Sequence, residues 1–111
     1  MITEIYTLLY RLGINATHKG FFQASHAVLL ASENMERLLL VTKWLYPEVA
    51  KHYHTTPECV ERNIRTVAAI AWQNNPELLR EIRRCQLTDG STATQFVAIL
   101  ASSFAHSDCY T

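Results

Sequence analysis

Between positions 58 and 66 the chain carries Glu58, Glu61, Arg62, Arg65 and Thr66, spaced so that a helix gathers them on one side. Val60, Ile64, Val67, Ala68 and Ala71 fall at complementary positions and predict a core stripe on the other side. An arginine fork can bond O6 and N7 of one guanine, and a glutamate carboxylate can accept from the amino group of cytosine. A short helix, a tight turn and a longer helix with its polar groups in the N-terminal half match a helix-turn-helix. In that geometry the second helix enters the major groove while the first crosses the backbone. The alternative is a solvated face closed by i,i+4 ion pairs, Glu58 to Arg62 and Glu61 to Arg65. Periodicity alone leaves both open.

Other chemistry does not find its residues. His52 and His54 are close in sequence, but on a helix they face apart, and no cysteine pair has zinc-ligand spacing. Cys59, Cys85 and Cys109 are odd in number and widely spaced, which argues against a disulfide framework and suits a reducing compartment. Ser25-His26 and Ser107-Asp108-Cys109 lack the positioned base and orienting group of a nucleophile, and His26 and His106 read as surface or boundary residues. With 3 glycines the chain cannot build a phosphate-cradling loop. No enzyme activity, cofactor or metal is expected. Cys59, near a helix start and beside the polar face, reads by default as a small packing residue; a thiol of lowered pKa is the sharper reading. Trp44, Tyr46 and Trp72 read as core or boundary residues rather than a base-stacking platform.

The elements that must hold the polar face follow from the same spacing. A chain of 111 residues, 49% hydrophobic and 18% charged, suffices for one domain with a single core. No apolar run approaches the roughly 18–20 residues that span a bilayer, and no signal peptide precedes the first helix, so the cytoplasm is the default location. Net charge is zero, so composition gives no support to nucleic-acid binding, which usually draws on basic residues. Ile2, Ile5, Leu8, Leu9 and Leu12 predict a first helix, closed by Gly13 as a positive-φ residue with Ile14 folding back. A second helix is expected from about His18 to Ala31, capped by Thr17, with Phe21, Phe22, Ala24, Ala27, Val28 and Ala31 buried. Asn34 caps a third from about Met35 to Leu45, with Leu38, Leu39, Val41, Thr42 and Leu45 mostly core.

Tyr46-Pro47 forces a boundary, and a short fourth helix, about Pro47 to Tyr53, turns Val49, Ala50 and Tyr53 inward. Thr56 caps the fifth, with Pro57 in its first turn and Glu58 at the positive end of the dipole; it runs to about Gln73. Asn75-Pro76-Glu77 starts a short turn through Ile82, and a loop covers Gln86 to Ser91. The capping box Thr92 to Gln95 opens a last helix with Phe96, Val97, Ile99, Leu100 and Phe104 apolar. The fold class is all-α: a compact bundle of about six helices containing a helix-turn-helix at about 46–73.

Several stretches also carry a family likeness. They are Lys19-Gly20-Phe21, Thr42 through Lys51 (TKWLYPEVAK), Thr55-Thr56, Val60 through Arg65 (VERNIR), Ala71-Trp72 and Thr94 through Ala98 (TQFVA). Nearly the whole chain resembles the C-terminal DNA-binding domain of stage-zero sporulation protein A, the response regulator governing the onset of endospore formation. The resemblance implies that the VERNIR helix recognises a short box upstream of promoters, with Glu61 and Arg62 reading bases and Arg65 a further contact. Where the family has another base-reading arginine, this chain has Cys59, and losing one bidentate arginine costs roughly 1–3 kcal/mol of discrimination. Tyr10 and Thr66 stand where the family commonly has histidines.

The family protein also carries a phosphorylatable receiver domain. This chain begins at the first helix of the effector domain, so no receiver domain is expected within residues 1–111. RNA polymerase, approached near Pro76 to Arg84, and a second copy on paired sites are further implied partners. Arg80, Arg83 and Arg84 form a basic cluster there, diluted by Glu77 and Glu81, which reads as a solvated face.

The chain is thus expected to be a regulator of transcription that binds double-stranded DNA at promoters and needs no membrane. Glu61 and Arg62 read bases, Arg65, Lys51, Lys43 and Thr56 hold the register through phosphates, and Glu58 and Thr66 lie within reach. The rival is a non-enzymatic interaction module of the same fold that pairs with a full-length regulator and modulates it.

Overall fold

The computed structural model describes residues 2–82 and 92–109. Six α-helices account for most of them: α1 (Ile2–Arg11), α2 (Phe21–Glu33), α3 (Tyr46–His52), α4 (Pro57–Asn74), α5 (Pro76–Ile82) and α6 (Thr92–Cys109). Among the described residues there is no strand. The loop expected at Gln86 to Ser91, the basic residues Arg83 and Arg84, and Cys85 lie outside them, as do the side chains of Cys109 and His106.

One apolar core joins the helices. α2 and α6 pack on each other, and α4 lies against both, with α1 on the outer side of α2 and α3 against α4. Ile5, Leu9, Leu12, Ile14, Ala24, Val28, Val49, Ile64, Leu79, Val97 and Leu100 are fully enclosed. Burying an aliphatic side chain of this size contributes about 1.5–3 kcal/mol, so residues from every α-helix share one driving force. The stripe read on the fifth helix is buried throughout: Val60, Ile64, Val67, Ala68 and Ala71.

The close of α1 follows its residue types. Gly13 adopts φ +87°, its N–H bonds the Tyr10 carbonyl at 3.0 Å, and the Ile14 N–H bonds the Leu9 carbonyl at 2.9 Å. This is a Schellman end, with Ile14 and Leu9 both buried as its apolar closure.

Two expected helices differ. α2 starts at Phe21, after Gly20, and Thr17 does not cap it. Asn15 organises the preceding loop instead: its side-chain oxygen accepts from the Thr17 N–H at 3.0 Å, and the Asn15 N–H donates to Nδ1 of His18 at 3.1 Å. Phe22, placed in the buried stripe by spacing, is 44% exposed and stacks edge-on with Tyr6 and Phe21 at the surface.

The third expected helix is not α-helical. Met35–Leu40 winds as a 3₁₀ helix and Val41–Leu45 as a π-helical segment running directly into α3. Asn34 starts the tight winding: its side chain accepts from the Glu36 N–H at 3.1 Å and its carbonyl from the Arg37 N–H at 3.0 Å, an i,i+3 bond. At the other end Pro47 has no N–H to offer the Lys43 carbonyl, so an α ladder cannot pass the junction. Leu45 is buried and Leu38 half-buried as expected, but Leu40 and Trp44 are 45% and 46% exposed. Trp44 is therefore a surface residue. Tyr46 and Trp72 pack in or against the core, and the Tyr46 hydroxyl shares a 3.0 Å hydrogen bond with that of Thr94.

Candidate nucleic-acid interface

α3, the turn at 54–56 and α4 form the helix-turn-helix. α3 closes on His54, whose φ of 57° is left-handed; its N–H approaches the Lys51 carbonyl and the Thr55 N–H bonds that of Ala50 at 2.9 Å. Thr56, in extended conformation, then caps α4 by accepting from the Cys59 N–H at 3.2 Å, and Pro57 takes the first turn, where no N–H is missed. The reversal is thus built from a Schellman end followed by a capped start.

On α4, Glu58, Arg62, Arg65 and Thr66 are exposed and Glu61 is half-buried at the edge of the same face. Among the described residues, no ion pair joins Glu58 to Arg62 or Glu61 to Arg65. The solvated face locked by i,i+4 pairs is therefore not the arrangement adopted, and both guanidinium groups are free for an outside acceptor. Thr66 spends its hydroxyl proton on the Arg62 carbonyl at 3.0 Å, leaving an acceptor outward. Lys51, at the last turn of α3, and Thr56 are also exposed.

Lys43 is exposed too, but on the π-helical segment ahead of α3. There it lines an open groove of about 370 Å³ with Asn34, Arg37, Trp44 and Glu48. Arg37 ties this corner together, bonding the Leu30 carbonyl at 3.0 Å and pairing with Glu48 at 3.4 Å.

Cys59 is half-buried on the flank of α4. The hydroxyls of Thr56 and then Thr55 hold its thiol below the ordinary value, and the Arg62 charge adds to the effect against burial.

The long, regular α4 thus carries its free arginines outward, aimed by the turn and backed by the helical bundle. The model of the family described as sporulation initiation factor Spo0A C terminal matches residues 5–104. The chain belongs to that family. The Spo0A C-terminal family is a family of DNA-binding domains from a sporulation regulator, regulatory rather than enzymatic. Among the described residues no helix is long and apolar enough to cross a membrane, and no group of metal-ligating side chains comes together.

Spacing in the sequence does not reveal several residues that hold this interface. Asn63, between two site residues, donates to the Gln23 side chain on α2 at 3.0 Å. At the far end of α4, Asn74 donates to the Gly13 carbonyl at 3.3 Å and Asn75 to that of Arg11 at 2.9 Å. His26 and His52 meet edge to face with ring centroids 4.6 Å apart, and Tyr53 packs on both while its hydroxyl donates to the Phe22 carbonyl. The only local hint of these bonds is an amide or imidazole on the border of an apolar stripe.

Proposed function

We propose that this chain binds duplex DNA sequence-specifically to regulate transcription, with α4 as the recognition helix in the major groove. The observation that carries the reading is the exposed, unpaired pair Arg62 and Arg65 on the N-terminal half of α4, the second helix of a helix-turn-helix in a chain of the Spo0A C-terminal family. Arg62 and Glu61 read bases. Arg65, Lys51, Lys43 and Thr56 hold the phosphates, and Glu58 and Thr66 stand beside them at the groove edge. The resemblance extends the reading to a second copy on paired sites and to RNA polymerase, for which α5 offers Arg80 between Glu77 and Glu81.

Zero net charge favours one rival, an interaction module that modulates a full-length regulator. A randomised-duplex selection followed by anisotropy titration at low and moderate salt separates them. DNA binding predicts a selected site and salt-sensitive affinity; Arg62→Ala relaxes the sequence preference. Lys51→Ala weakens all duplexes alike and lowers the salt slope by about one. Absence of salt-sensitive binding at micromolar protein favours the interaction module, and an Arg62→Ala variant that selects the same site overturns the base-reading role.

A further inference from the structure

The apolar stripe of α4 holds it in the bundle, but hydrophobic contact is non-directional and leaves rotation about the helix axis weakly determined. Base reading cannot tolerate that freedom, because a binding constellation has to be held within about 0.5 Å and 10–20°. Directional contacts must supply the rest. At the C-terminal end they are the bonds from Asn74 and Asn75 to the end of α1. In the N-terminal half, where the arginines stand, one directional contact from α2 and the close approach of Gly20, just ahead of α2, meet at one residue, Asn63.

Asn63 follows Arg62 directly and is half-buried, on the flank between the buried stripe and the exposed face. Its Nδ2 donates to Oε1 of Gln23 at 3.0 Å. The backbone meets at the same place: a Cβ on Gly20 would lie 2.4 Å from the Asn63 carbonyl oxygen and 3.1 Å from Cγ1 of Val67. One residue of α4 is thus held through its side chain by Gln23 and through its backbone by the bare Gly20. Replacing both partners of a neutral hydrogen bond by apolar groups of like shape is often nearly neutral for stability, so stability alone does not require this pair.

Resting on the DNA-binding reading, we infer that Gln23, through its hydrogen bond to Asn63 against the Gly20 contact, is a positioning residue that sets the rotation of α4 and so the register of Arg62 on the bases.

The test measures affinity for the selected duplex and for a random duplex, with the thermal midpoint alongside. Gln23→Ala should lower the selected-to-random ratio about tenfold, within the range of one bidentate base contact, while random-duplex affinity holds nearly steady and the midpoint falls only by the loss of one part-buried hydrogen bond. The double variant Gln23→Leu with Asn63→Leu should keep the fold and lose the same ratio. In an Arg62→Ala background, Gln23→Ala should cause no further loss, because a residue acting through Arg62 is non-additive with it. An unchanged ratio, an additive loss with Arg62→Ala, or equal weakening of both duplexes overturns the inference. A wild-type ratio near one overturns the DNA reading and this inference with it; a wild-type preference that survives Gln23→Ala overturns only the inference.

Discussion

α1 and α3 end in the same hydrogen-bonded motif, yet one closes on Gly13 and the other on His54. In both, the residue past the helix turns left-handed, φ +87° at Gly13 and 57° at His54, and the next N–H reaches back to the third residue from the helix end. The difference lies in what surrounds them. A Cβ at Gly13 would fall 2.5 Å from Nδ2 of Asn74, the side chain that bonds the Gly13 carbonyl. At His54 the side chain is exposed, and histidine is among the residues that visit this region more often than most. Glycine is therefore required where the chain end is packed against α4. A strained but tolerated side chain suffices where the turn faces solvent.

The sharpest way to break this comparison is Gly13→Ala. It should destabilise by about 2–5 kcal/mol, combining about 1–2 for the left-handed backbone with about 1–3 for overpacking on Asn74. Adding Asn74→Ala should remove the steric part and return the cost toward about 1–2 kcal/mol in chemical denaturation. If Gly13→Ala is neutral, packing is not what selects glycine there.

Thr56→Ala, which removes the cap just beyond His54, should cost about 1 kcal/mol, with the loss localised to the first turn of α4 in amide exchange. His54→Gly should act in the opposite direction. Relief of the left-handed strain outweighs the added freedom of the unfolded chain and stabilises by roughly 0.5–1 kcal/mol. A fall in denaturation midpoint for His54→Gly would show that the imidazole makes its own contribution to the turn.

The smallest effect concerns pH, and it is confined to the α3 end, where His52 packs on His26. Burial, then the neighbouring His52, hold His26 below its ordinary value against the opposing pull of Glu48 and Glu33. As pH falls, the unfolded chain takes up this proton first. Stability present above about pH 6.5 is therefore lost as pH falls through the lower folded value. His26→Gln should flatten that slope in denaturation curves compared at about pH 7.5 and pH 5.5, and an unaltered slope would assign the dependence to other groups.

Legibility in the sequence followed how local each determinant was. Thr56-Pro57 and the stripe from Val60 to Ala71 specify α4 because cap, first-turn proline and periodicity all act within a few residues and agree. Gly13 with Ile14 predicted the end of α1 for the same reason. The Met35–Leu45 stretch had helical spacing too, but Asn34 and Pro47 impose opposite demands at its two ends, and neither spacing nor composition shows which winding satisfies both. The site divides similarly. Arg62, Arg65, Lys51 and Thr56 are exposed where the pattern places them, and Lys43 is exposed but on a segment of unexpected winding.

The sequence by itself determined the all-α class, the helix-turn-helix and the side of α4 that faces outward, since these depend on capping and on which residues avoid water. Only the tertiary structure decided that Asn63 meets Gln23, that Gly20 rests on the α4 backbone, that Asn74 closes over Gly13 and that Trp44 is left outside. Those outcomes depend on contacts between residues far apart in the chain, as with the 40 positions that separate Gln23 from Asn63, and periodicity carries no information about such distances.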